Sequence, residues 1–129
     1  MLELCQDKDF VFASRYISGG GSDDDNLITY VGNKIFTLTG NILFNLKISD
    51  ILYTYVMGKT NSAKQLGLSF HDFRFCVELP IKAKHQKMIY CSTPSKERKR
   101  IGGIKKVNAF KDGFLILIGI LKLFFLKKK

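Results

Sequence analysis

The sequence predicts an α/β fold, and three observations carry that prediction. Short apolar runs rich in aromatic and β-branched residues occupy 10–14, 51–57 and 88–92. Segments with helical spacing of apolar residues separate them. The chain has 129 residues and is 46% hydrophobic, enough for one packed core, as a single domain or as part of a larger one.

Each element has its own justification. Residues 10–14 (Phe-Val-Phe-Ala-Ser) read as a buried strand. Arg15 and Tyr16 stand at its end, before Ile17-Ser-Gly-Gly-Gly-Ser-Asp-Asp-Asp25, a flexible loop containing Gly19 and Gly20. Asp25 or Asn26 fits the N-cap position. Leu27, Val31, Ile35, Leu38, Ile42 and Leu46 recur at helical spacing, so 26–46 reads as a long amphipathic helix. Asp50 heads a second strand over 51–57. A short helix is expected around 61–66 and a third over 71–86, where Pro80 fits only a first turn or a kink. A third strand covers 88–92. Pro94 then opens a basic loop holding Arg98, Lys99, Arg100, Gly102, Gly103, Lys105 and Lys106. The order, β-loop-α-β-α-α-β-loop-α, suits a layered α/β arrangement. Three strands make a small sheet, so another half is expected elsewhere in the protein or on another chain.

Charge divides the chain. Residues 1–80 hold seven Lys/Arg and nine Asp/Glu, and residues 81–129 hold fourteen and two, giving −2 and +12. Such asymmetry calls for an anionic partner at the C-terminal part. Residues 94–109 lack the interleaved aromatics that stack on bases, which argues against nucleic acid. Residues 114–126 are apolar apart from Lys122 and are closed by three lysines. These thirteen residues span roughly 20 Å as a helix, short of the hydrocarbon core of about 30 Å. An interfacial helix on an anionic membrane surface is the expectation, with a buried core helix as the alternative. Residues 1–14 have no signal-peptide pattern.

Candidate chemistry is sparse. Cys5, Cys76 and Cys91 form no metal-ligand spacing and fit free thiols in a reducing compartment. Asp23-x-Asp25 has the spacing of a metal-holding acid pair, yet it follows glycines and precedes a helix, where acids complement the helix dipole. No metal site is expected on this chain. Arg15, at a strand end, can grip a phosphate bidentately. Asp50 is a candidate general base. Arg100, Gly103, Lys105 and Lys106 offer cations on a backbone that turns close to a ligand.

Taken in order, these pieces resemble family 2 glycosyltransferases that act on polyprenyl phosphates, the family that includes dolichol-phosphate mannosyltransferases. Ala13-Ser-Arg15-Tyr16 with Gly19-Gly20 resembles [GA]-S-R-Y-x-x-G-G, and Gly32-Asn33 resembles the Gly-x-Asn of the next helix. Asp50 resembles the acid of a D-x-T-S-G-F block, whose threonine and Gly-Phe are replaced here. Glu78-Leu79 resembles an E-L pair, and Arg100-x-x-Gly103-x-Lys105-Lys106 resembles R-x-x-G-x-S-K. The resemblance implies the C-terminal part of a GT-A domain over 1–109 and a membrane-associated helix over 110–129, at the cytoplasmic face of a membrane. It implies transfer of a sugar from a nucleotide-sugar donor to a polyprenyl-phosphate acceptor. Arg15 would contact a phosphate or diphosphate, and residues 17–25 would form the acceptor loop. Asp50 would act as base or position the acceptor, and Arg100 and Lys106 would bind phosphate. The family's divalent metal (Mg or Mn) and its nucleotide site belong to an N-terminal half that this sequence lacks. The chain alone is therefore expected to bind no metal and to be inactive. A non-catalytic membrane-surface module is the alternative.

Overall fold

A computed structural model describes residues 1–104 and 108–126. After a 3-10 turn at Leu4–Gln6, the elements are β1 (Phe10–Ser14), β2 (Gly21–Ser22), α1 (Leu27–Phe44), β3 (Val56–Gly58), α2 (Thr60–Gln65), α3 (Phe75–His85), β4 (Tyr90–Pro94), β5 (Lys96–Glu97) and α4 (Ala109–Leu126). The protein is mixed α/β. β1 lies between β3, antiparallel to it, and β4, parallel to it. All five residues of β1 are buried, four of them apolar and the last, Ser14, polar. Beyond the ends of β1 and β4 the two chains stay together. Ser95 N donates to Ser14 O, and β2 and β5 then pair in parallel. The expected flexible loop at 17–25 is therefore tied down through Gly21 and Ser22.

The second strand is shorter than the sequence predicts. Only Val56–Gly58 pairs with β1, and Ile51 and Leu52 form a turn. The cause is a local anchor: Ile51 N donates to Thr37 Oγ1 at 3.1 Å, and the Ile51 side chain is buried against α1. Asp50 thus precedes a turn and does not head a strand. The third strand begins two residues later than predicted, because α3 ends in a Schellman motif. Lys87 takes a left-handed backbone (φ 57°), and Met88 N reaches back to Ala83 O at 3.0 Å. Pro80 lies inside α3 and is buried.

α1 is built with its polar side inward. Asn26 caps it in a reciprocal pair with Thr29. The face turned into the protein is Asn33, Thr37, Gly40 and Phe44, whereas Leu27, Ile28, Val31, Ile35, Leu38 and Ile42 are exposed. The stripe that makes the segment readable as a helix is its outer face. At its end Asn45 is left-handed (φ 54°). Asn41 there holds Ile48 through both backbone groups, donating to its carbonyl at 2.8 Å and accepting from its N–H at 3.1 Å. Leu46 falls beyond the helix and enters the core.

The core runs from Phe10 and Phe12 through Phe44, Leu46, Ile48 and Ile51 to Val77, Leu79 and Ile81 of α3. Ile116, Ile120 and Leu123 of α4 belong to it as well. α4 starts before the apolar run because Asn108 caps it, with Oδ1 accepting from Phe110 N and Lys111 N. Its other face is exposed. No helix among the described residues is long and apolar enough to cross a membrane.

Candidate functional site

The site lies off the carboxyl ends of β1 and β4, where open α/β sheets place ligands. Arg15 follows β1 directly, and each nitrogen of its guanidinium donates to a carboxylate. Nε and Nη2 donate to the two oxygens of Asp50 at 2.8 and 3.0 Å, and Nη1 donates to Glu97 Oε2 at 2.9 Å. Arg15 N also donates to Asp50, at 3.0 Å. Tyr53 stacks on the guanidinium from 4.6 Å and Tyr16 from 5.1 Å. Burial alone lowers the arginine's affinity for its proton, but the bonds to Asp50 and Glu97 outweigh it, so its pKa is raised above the ordinary value.

Asp50 is fully buried as a side chain. Its fourth hydrogen bond comes from Asn33 Nδ2 at 2.6 Å, and Thr37 Oγ1 fixes Asn33 by donating to its Oδ1 at 3.0 Å. Two donors reach each oxygen of Asp50, which fills the lone-pair positions of a carboxylate. In this arrangement Asp50 orients Arg15 and has no open position from which to accept a proton.

A cleft of about 280 Å³ opens over this pair. Arg15, Arg100, Glu97, Asp25, Asn33 and Tyr53 are among the residues lining it. Glu97 bridges Arg15 to Ser22, whose Oγ donates to it at 2.6 Å, so β2 and β5 are joined by side chains as well as backbone. Asp25 accepts from the Tyr16 and Thr29 hydroxyls. Burial and this bond raise the Tyr16 phenol above its usual value. Arg100 is exposed, with Nη1 donating to Ile104 O at 3.1 Å.

Of the residues singled out by sequence, Arg15 and Asp50 form one ion pair and Arg100 borders the same cleft. Gly20 packs on backbone, since a Cβ there would sit 2.6 Å from Ser14 O. Gly19 has φ +86° against Pro94, and Gly103 has φ +85° in an exposed turn. Lys105 and Lys106 lie outside the described residues. Asp23 and Asp25 do not converge on a cation: Asp25 is taken up by the two hydroxyls, and Asp23 faces Lys96 at 4.0 Å. Among the described residues no three or more His, Cys, Asp or Glu side chains gather closely enough to share a metal ion.

Glu97, Ser22 and Thr37 were missed as site residues, and Asn33 entered only through a motif. For Asn33 and Thr37 a signal exists. Two polar residues four apart lie opposite the apolar stripe of α1, and a helix that is apolar on one face turns the other toward water or toward something polar. For Glu97, a lone acid within a basic run, no sequence signal points to Arg15. In comparisons with known proteins, the chain matches no family model, no curated protein and no solved structure.

Proposed function

We propose that this chain is the acceptor-side part of a family 2 glycosyltransferase that moves a sugar from a nucleotide-sugar to a polyprenyl phosphate at a membrane. One observation carries the reading. Arg15, of the Ser-Arg-Tyr segment, and Arg100, of the Arg-x-x-Gly segment, border one cleft although they are remote in sequence. Asp50 and Asn33, which also match positions of the resemblance, lock the guanidinium in place below it. The role of Asp50 in this reading is positioning. In this reading Arg15 offers a phosphate the guanidinium N–H positions that Asp50 and Glu97 leave open, and Arg100 supplies the second cation. The donor nucleotide and the divalent metal would bind to a further half of the enzyme, and no step of the transfer is assigned to a metal on this chain.

The test is binding of a short polyprenyl phosphate in detergent micelles or nanodiscs, compared with the matching polyprenol. The phosphate should bind, R100Q should weaken it about tenfold, as loss of one charge-assisted contact implies, and the alcohol should bind poorly. Equal binding of phosphate and alcohol would overturn the reading. The purified chain should not transfer sugar from any nucleotide donor, and turnover by it alone would refute the need for a second half.

A second reading is a non-catalytic module that docks on anionic lipid. The saturated carboxylate of Asp50 favours it, because the acid that the resemblance would make a base is held by four donors. Binding that follows lipid charge and ignores the polyprenyl phosphate would select this reading over the first.

A further inference from the structure

α1 and α4 together carry an outward apolar surface that no part of the described chain covers. On α1 it consists of Leu27, Ile28, Val31, Ile35, Leu38 and Ile42, with Leu27 78% and Ile42 70% exposed. On α4 it consists of Phe110, Phe114, Leu117, Ile118, Leu121 and Phe125. The two helices pack against each other and run in the same direction. Phe36 meets α4 at Gly113, and Phe44 meets it at Phe124, with ring centroids 6.0 Å apart. Large exposed apolar surfaces of this kind mark contact with a partner or a membrane.

Charge selects the partner. α1 holds one charged residue, Lys34, and α4 holds Lys111, Asp112 and Lys122. All three lysines are exposed, while Asp112 is folded back onto Asn108 N at 2.7 Å. The loop entering α4 adds exposed Arg98, Lys99 and Arg100. Asp23, Asp24 and Asp25 precede α1, where Asp25 is engaged by the Tyr16 and Thr29 hydroxyls and Asp23 faces Lys96. The cations along the two helices and the entering loop match the headgroup boundary of an anionic bilayer.

We infer that α1 is a second membrane-docking helix, lying in the interface beside α4, so that the protein meets an anionic bilayer through a two-helix platform. The inference rests on the membrane reading above and adds a surface to it. It also explains why α1 is polar inside. Its inner face, Asn33 and Thr37, braces Asp50, and its outer face enters the lipid boundary, so docking sets the Arg15 cleft at the bilayer surface. The cleft reaches α1 at Asp25, Thr29 and Asn33, in the capping residues and first two turns of that helix.

The chain has no tryptophan, so a single one reports its own surroundings. I35W on α1 and F114W on α4 are compared on phosphatidylglycerol vesicles with and without bromine on the acyl chains. Both emissions should shift to the blue and be quenched by bromine. An I35S/L38S double variant replaces exposed side chains only, and should fold normally by circular dichroism. It should partition about tenfold more weakly, as removal of two apolar contacts implies. Quenching of F114W without I35W would overturn the inference and leave α4 docking intact. Quenching of neither would remove the membrane reading itself. A concentration-dependent blue shift of I35W without vesicles, with a dimer in light scattering, would assign the face to a second copy and also overturn the inference.

Discussion

At Asp50 four donors meet one buried carboxylate, and three of them belong to Arg15. A buried ion pair contributes modestly while intact, but removal of one partner strands the other. D50N should therefore cost about 3 kcal/mol in urea unfolding, a value at the low end for a broken buried pair because Glu97 still bonds Arg15. The asparagine amide would also point hydrogens at Asn33 or Arg15, both of which are donors there. R100Q touches only an exposed side chain and should alter stability by less than about 0.5 kcal/mol. This pair of variants separates a residue that builds the cleft from one that only borders it. Gly20 is the third case. In G20A the new Cβ would press on Ser14 O and the backbone of Arg15, and overpacking of that kind costs about 1–3 kcal/mol. A loss of stability with phosphate binding retained would assign Gly20 to packing.

Among the elements, α3 is fastened by Glu78, a fully buried acid. Burial alone would raise its pKa. Lys82, Ser69 and Phe70 donate to it and win, holding the carboxyl at about 2 against an ordinary 4.5. The bonds to Ser69 N and Phe70 N, each 2.8 Å, clamp the segment before α3 onto the helix. A carboxyl with a lowered folded-state pKa stabilises fully above its unfolded value, and that stability is lost as pH falls from about 4.5 toward 2. E78Q should flatten the fall in melting temperature across that window, and should lower stability at neutral pH by unbalancing Lys82. The element scale is also where the sequence was most and least readable. β1 was legible because a strand buried on both faces is a near-continuous apolar run, here Phe10 to Ala13. α1 was legible as a helix from its stripe, but the direction of the stripe was not, because periodicity reports spacing and not which side meets the core. β3 was misread as longer because β-branched and aromatic residues at 51–55 are equally at home in a packed turn, once Thr37 and Arg15 anchor it. The Arg15–Asp50 pair joins two segments that each looked like a site, and only the fold shows that they satisfy each other.

On the scale of the whole molecule, α4 has two faces with different obligations. Ile116, Ile120 and Leu123 fill the same core as Phe44 and Leu79, while Phe114, Leu121 and Phe125 face outward. The core-helix alternative for the terminal apolar run is thus met by its buried face, and the interfacial expectation remains a proposal that concerns the exposed face. The length of the run could not separate them, since about thirteen apolar residues suit either. The two faces can be separated by experiment. I116S/I120S opens the core beneath α4 and should lower the melting temperature sharply. Each buried isoleucine reduced to a small polar residue costs about 2–5 kcal/mol, and a domain of this size holds only about 5–15 kcal/mol in all. F114S/F125S changes exposed residues alone and should leave the melting temperature within a few degrees in detergent-free buffer, as surface substitutions do. Its effect should appear on anionic vesicles, as weaker flotation. A large drop in melting temperature for the second variant would mean that the outer face is covered within the protein's own assembly. Equal melting temperatures for the first variant and the parent would mean that α4 contributes little to the core that its buried residues line.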